Sequence, residues 1–166
     1  MSSVVDVTDA RTDPMAAPTT LPGWVLHHAR TTPRAVAFRM KSLGRWEEIT
    51  WAQHAARVAQ VGRALAHYGV GTGDRVLLVS ENRVEWVVTD LAVQGLGAVT
   101  VATFPSAPVD ELHELVRRSR PRLAVVEGEQ QLDELLEMSS SPLERIFVID
   151  TRGIRRLDEQ IGRAHV

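Results

Sequence analysis

From Arg75 onward, short uninterrupted apolar runs alternate with longer stretches in which apolar residues return every three or four positions. The runs centre on Arg75 to Ser80, Val99 to Thr103, Leu123 to Val126 and Arg145 to Ile149. A continuous run such as Val76-Leu77-Leu78-Val79 predicts a strand covered on both faces, because a half-exposed strand would alternate apolar and polar residues. The stretches between them, about Arg83 to Leu96, Pro108 to Ser119 and Gln130 to Met138, carry helical periodicity. Pro108 suits a first helical turn, where its missing N–H costs nothing. Repeated strand–helix–strand units predict an α/β fold, with a mostly parallel sheet and helices on both faces.

Upstream the pattern changes. Leu21 to Thr31 is a short helical segment closed by Pro33. Val36 to Met40 and Arg45 to Thr50 flank Lys41-Ser42-Leu43-Gly44 and predict a short antiparallel hairpin. Thr50 is placed to cap a helix reaching about Tyr68, with Trp51, Ala55, Val58, Gly62 and Leu65 on one face. Gly69-Val70-Gly71-Thr72-Gly73-Asp74 then ends that helix and leads into the first buried strand. The polar, proline-containing residues 1–20 are expected to be a disordered leader, residues 21–156 the domain, and residues 157–166 a tail outside it.

Composition narrows the function classes. At 166 residues and 44% hydrophobic content the chain has enough material for one real core. A net charge of −2 recommends neither nucleic acid nor an anionic membrane as partner. Cysteine is absent, so no disulfide or thiolate metal site exists, which fits a cytoplasmic location. Lys41 is the only lysine against 19 basic residues; this reads as coding bias, not as an arginine-built site. The most apolar stretch, Val84 to Val101, is interrupted by Glu85, Asp90 and Gln94 and falls short of the roughly 20 apolar residues of a membrane span.

Most candidate motifs fail on their context. Gly69-x-Gly71-x-Gly73 follows a helix and enters a strand, the reverse of a dinucleotide loop, so a helix cap and turn is expected. Lys41-Ser42 lacks the glycine frame of a phosphate loop, and neither Ser80 nor Ser106 lies between glycines as a hydrolase nucleophile would. His54 and His67 stand more than about 90° apart around one helix and His27 and His28 are adjacent, so no metal site is expected. Asp74-Arg75 reads as a turn with an ion pair, and Glu111, Glu114, Arg117 and Arg118 as a solvated helix face. Trp46, Trp51 and Trp86 are expected in the core. Glu81-Asn82-Arg83 has two readings: a ligand-facing triplet past the carboxyl end of a buried strand, or a helix start capped by Asn82.

Three segments together resemble the AMP-forming acyl-CoA synthetases of the adenylate-forming ligase superfamily. They are Ile49-Thr50-Trp51-Ala52-Gln53, then Gly69 to Val76 with the following Leu-Leu-Val-Ser-Glu-Asn, and Leu91 through Gly95-Leu96-Gly97-Ala98-Val99 to Phe104-Pro105. The resemblance spans about Leu21 to Asp150, and Phe104-Pro105-Ser106 with its following helix is most similar to the long-chain fatty acid–CoA ligases. It implies the N-terminal subdomain of that fold, with ATP, magnesium and CoA as cofactors of the full-length enzyme and a fatty acid as its substrate. The family's Pro-Lys-Gly phosphate loop, Thr-Glu magnesium motif, ribose-binding Asp and late lysine have no counterpart in these 166 residues. No catalytic, cofactor-binding or metal residue is therefore assigned, and the chain alone is expected to be inactive. An independent α/β ligand-binding module is the alternative. Ile161 to Val166 also read like the in-frame translation of a common sequencing adapter, and no strand is expected after Arg156.

Overall fold

The computed structural model describes residues 17–42, 44–152 and 161–163. Most of the expected leader, residues 1–16, lies outside them. Thr20 does not belong to a leader: its side chain accepts the Gly23 N–H at 3.2 Å and caps helix α1 (Leu21–Thr31).

Strands β1 (Val36–Ser42) and β2 (Arg45–Thr50) form the expected antiparallel hairpin, with a register shift between Val36 and Phe38. Thr50 then caps α2 (Trp51–His67) in a reciprocal box. The Thr50 hydroxyl accepts the Gln53 N–H at 3.3 Å, and Gln53 accepts the Thr50 N–H at 2.9 Å. Helix α2 ends in a Schellman turn, where Gly69 N–H reaches Ala66 O and Val70 N–H reaches Leu65 O. That turn requires a left-handed residue, and Gly69 supplies it at φ +83°.

The remaining elements alternate: β3 (Arg75–Val79), α3 (Val84–Gly95), β4 (Val99–Thr103), α4 (Val109–Ser119), β5 (Leu123–Val126), α5 (Glu129–Leu136), β6 (Arg145–Val148) and β7 (Ile161–Arg163). The five strands pair in parallel in the order β4-β3-β5-β6-β7. Strand alternation divides the core in two. Val76, Leu78, Leu123, Val125 and Phe147 meet Val61, Leu65, Val88 and Ala92 of α2 and α3 on one face. Leu77, Val79, Ala124, Val126, Ile146 and Val148 meet Leu112, Val116, Leu132 and Leu135 of α4 and α5 on the other. The α/β fold with helices on both faces follows as expected.

Three expectations change. Trp46 is 68% exposed, because it sits on a two-stranded hairpin face that no element among the described residues covers. Trp51 stacks on His28 at 4.5 Å, and Trp86 packs partly buried against the core. Of the expected α2 face, Leu65 is buried and Val58 packs against the core as expected, while His54 and Val61 join the buried side in place of Ala55 and Gly62. Ala55, Ala59, Gly62 and Ala66 instead line a groove of about 310 Å³ shared with α1 and α3. Finally, Ile161–Arg163 forms a strand beside β6 where none was expected. Pairing at a sheet edge uses backbone groups alone, so a segment without apolar periodicity can still join. Residues 164–166 lie outside the described residues.

Candidate functional site

The order β4-β3-β5 places a topological switch between β3 and β5, whose chains depart in opposite directions along the sheet. Open α/β sheets leave a crevice at such a point, beyond the carboxyl ends of the strands. Ser80, Glu81, Asn82 and Arg83 follow β3 there, Glu127 and Gly128 follow β5, and Asp150 lies two residues past β6.

Glu127 joins these exits. Its carboxylate accepts the Glu81 N–H at 2.7 Å, the Ser80 hydroxyl at 3.1 Å and Arg83 Nη1 at 3.2 Å. Its own N–H donates to Val79 O, and its carbonyl accepts the Asp150 N–H, both at 2.8 Å. Arg83 is held from a second side by Glu85, with Nε 2.8 Å from Oε2. The bond to Glu85 is the main reason the guanidinium is held protonated beyond its ordinary range. Burial by itself would push the Glu85 carboxyl up; the Arg83 bond and the Arg83 and Arg57 charges outweigh it and hold it below the ordinary value. At the rim, Arg152 grips Asp150 through side chain and backbone and lowers its pKa to about 2. Gln131 adds the β4 exit: it accepts the Gly128 N–H at 3.3 Å and donates to Pro105 O at 3.5 Å.

Beside this frame, Phe38 and Met40 of the hairpin and Asn82, Arg83, Trp86 and Val87 border a mostly apolar hollow of about 460 Å³. Of the triplet 81–83, Asn82 and Arg83 border this hollow. Asn82 does not cap α3: Arg83 occupies the N-cap, with no side-chain cap bond. Chemically the cluster is a brace. The carboxylate of Glu127 and the guanidinium of Arg83 already hold partners, and Ser80, 1% exposed, spends its hydroxyl proton on Glu127 and the Glu81 carbonyl. Sequence reasoning missed Glu127, although it stands immediately after a four-residue buried strand, one position closer to its strand than Glu81 is to β3.

The other candidates fall into place as structure. Gly69 and Gly73 adopt φ of +83° and +84°, as a cap and turn demand. Asp74 accepts the Gly71 N–H at 2.8 Å; its ionic neighbour is Arg122 at 3.8 Å, not Arg75. Glu114 pairs with Arg117 and Arg118 on exposed α4, as expected for a solvated face. No group of three metal-binding side chains exists among the described residues.

Comparison with known proteins decides the family. The profile of the AMP-binding enzyme family matches residues 25–165. This chain belongs to the AMP-binding enzymes. Within that family it corresponds to the N-terminal part of an AMP-forming acyl-CoA synthetase. It is 29% identical over 136 residues to long-chain-fatty-acid–CoA ligase FadD15 of Mycobacterium tuberculosis, covering 81% of this chain and 23% of the ligase. An uncharacterized protein of the same organism is 31% identical over 133 residues, 80% of this chain and 74% of its own. Among solved structures, the acyl-CoA synthetase of Brucella canis superposes with TM-score 0.68 at 25% identity, over 79% of this chain and 24% of that one. Acetoacetyl-CoA synthetase of Streptomyces lividans shares the fold at TM-score 0.75 and 21% identity, over 86% and 24%. The chain thus spans about a quarter of the ligases it matches.

The switch-point residues of this AMP-binding enzyme do not form a site for magnesium ATP. Among the described residues, the cation that faces Glu127 is Arg83, already paired with two carboxylates; Glu127 already accepts three donors, and the helix following β3 begins with an arginine instead of a glycine cradle.

Proposed function

We propose that this chain supplies the N-terminal α/β part of an AMP-forming long-chain fatty acid–CoA ligase acting in the cytoplasm. Such an enzyme activates a fatty acid with magnesium ATP to an acyl-adenylate and then transfers the acyl group to CoA. The observation that carries the reading is the family match through residues 25–165, together with the likeness to FadD15. In this reading the Glu127 brace holds the exits of β3, β5 and β6 in fixed relation, and the phosphate, ribose and magnesium contacts come from other parts of the enzyme. The 166-residue polypeptide by itself does not adenylate. The test is pyrophosphate release from ATP with palmitate: no turnover above buffer is expected from the isolated chain, and fatty-acid-dependent release would overturn that expectation.

A free-standing α/β ligand-binding module is the second reading, favoured by the relative of which 74% is covered by the match. Size-exclusion chromatography with a thermal melt separates the two. A module is a stable monomer, whereas part of a larger enzyme leaves apolar surface uncovered and self-associates.

A further inference from the structure

We propose that the amino end of the sheet, opposite the switch point, carries a binding site for a small phosphate monoester. It lies between the C-terminal end of α4 and the loop from α5 into β6. Arg117 and Arg120 from α4 and Ser140, Ser141 and Pro142 from the loop line a hollow of about 490 Å³, with no carboxylate among these residues. An arginine fork fits two phosphate oxygens at once, and serine hydroxyls add single donors. Arg117 shares Glu114 with Arg118, so two guanidiniums answer to one carboxylate. Arg117 spends Nε and Nη2 on that bond, and among the described residues nothing engages its Nη1. Ser141 Oγ accepts the Leu143 N–H at 3.2 Å, which leaves its own proton to donate.

Arg120 is the most telling member. It ends α4 in the left-handed conformation at φ +48°, and among the described residues no other residue but glycine has a positive φ. Glycine fits that position without strain, so an arginine there points to a use for its side chain. It is exposed, and among the described residues no carboxylate pairs with it. The organic part of the ligand follows from the adjoining surface. Ser141 also borders a crevice of about 190 Å³ walled by Leu135, Leu136, Met138 and Leu143, where Leu136 is 52% exposed. Glu144, which lines the crevice too, is held by Arg122 Nε at 2.9 Å. An ester with its phosphate on the arginines can lay a small apolar group in this crevice, a contact that inorganic phosphate cannot make.

Equilibrium dialysis of the 166-residue chain against phenyl phosphate tests this, and it reads affinity whether or not the chain self-associates. Saturable binding is expected, at least about 10-fold tighter than for inorganic phosphate or sulfate. Arg120→Gly removes the guanidinium and relieves the backbone. Its melting temperature should therefore hold or rise while affinity falls at least about 10-fold. Arg120→Lys, which keeps the charge without the fork, should fall between. Arg118→Gln removes a charge outside the hollow and should change affinity less than about twofold. Equal binding of sulfate, absence of saturation, undiminished affinity in Arg120→Gly, or an equal loss in Arg118→Gln would each overturn the proposal. Retention on phosphatidate vesicles that free phenyl phosphate does not displace would overturn it in favour of a lipid headgroup.

Discussion

Strands β3 and β4 are neighbours of similar composition with opposite surroundings. Both are five residues long and rich in Val, yet β3 is sealed between α2–α3 and α4–α5 while β4 is half open on both faces and unpaired on one edge among the described residues. The difference teaches that apolar runs predict burial only when the layers above and below reach that far. In the middle of the sheet two helical layers overlap; at β4 they do not.

Breaking the middle should cost most. Leu78→Ala removes a fully buried side chain that touches both the sheet and the α2–α3 layer. A loss of about 3 kcal/mol is expected from denaturant unfolding, through lost burial and the cavity left behind. Next comes the latch at the end of β3. Glu127→Ala strips acceptors from the Glu81 N–H, Ser80 and Arg83, and should cost about 1–3 kcal/mol by the same measurement. A smaller loss would mean that water replaces the carboxylate and that the exits are held by the sheet alone.

A buried polar group offers a subtler probe of the same side. His54 is 1% exposed, between Phe38 and Trp51, and burial, with help from Arg57, lowers its pKa below 6.5. The folded state therefore disfavours the protonated ring. Stability carried by this residue is intact above 6.5 and declines as pH falls below it, because the unfolded chain then binds the proton more readily. Comparing denaturation midpoints at several pH values, His54→Leu should show a shallower decline on the acid side than the parent. The smallest effect belongs to the edge: Ala102→Lys in the isolated chain should change stability by less than about 0.5 kcal/mol while reducing self-association on a sizing column.

Much of this was legible in the residues. Strands β3, β5 and β6 coincide with apolar runs, because a strand covered on both sides leaves no room for polar residues. The Thr50–Gln53 box and the Gly69 turn were readable because both depend on neighbours within five positions. The triplet 81–83 was placed correctly at the carboxyl end of a strand. Its partner Glu127 was not foreseen, since it lies 44 residues from Arg83 and only strand order brings the two together. Trp46 was misjudged for the same reason: its side chain has the size of a core residue, but among the described residues no element covers it.

Local pattern thus determined what each segment of this protein is: helices by their three- and four-residue spacing, buried strands by uninterrupted apolarity, turns by glycine. Tertiary structure alone decided which segments are neighbours. The parallel order β4-β3-β5-β6-β7, the switch point it creates, the brace gathered there and the open edge beside it all arise from pairings across tens of residues. Backbone hydrogen bonds make those pairings, and backbone groups are the same in every residue but proline, so side-chain pattern leaves the order of strands undetermined.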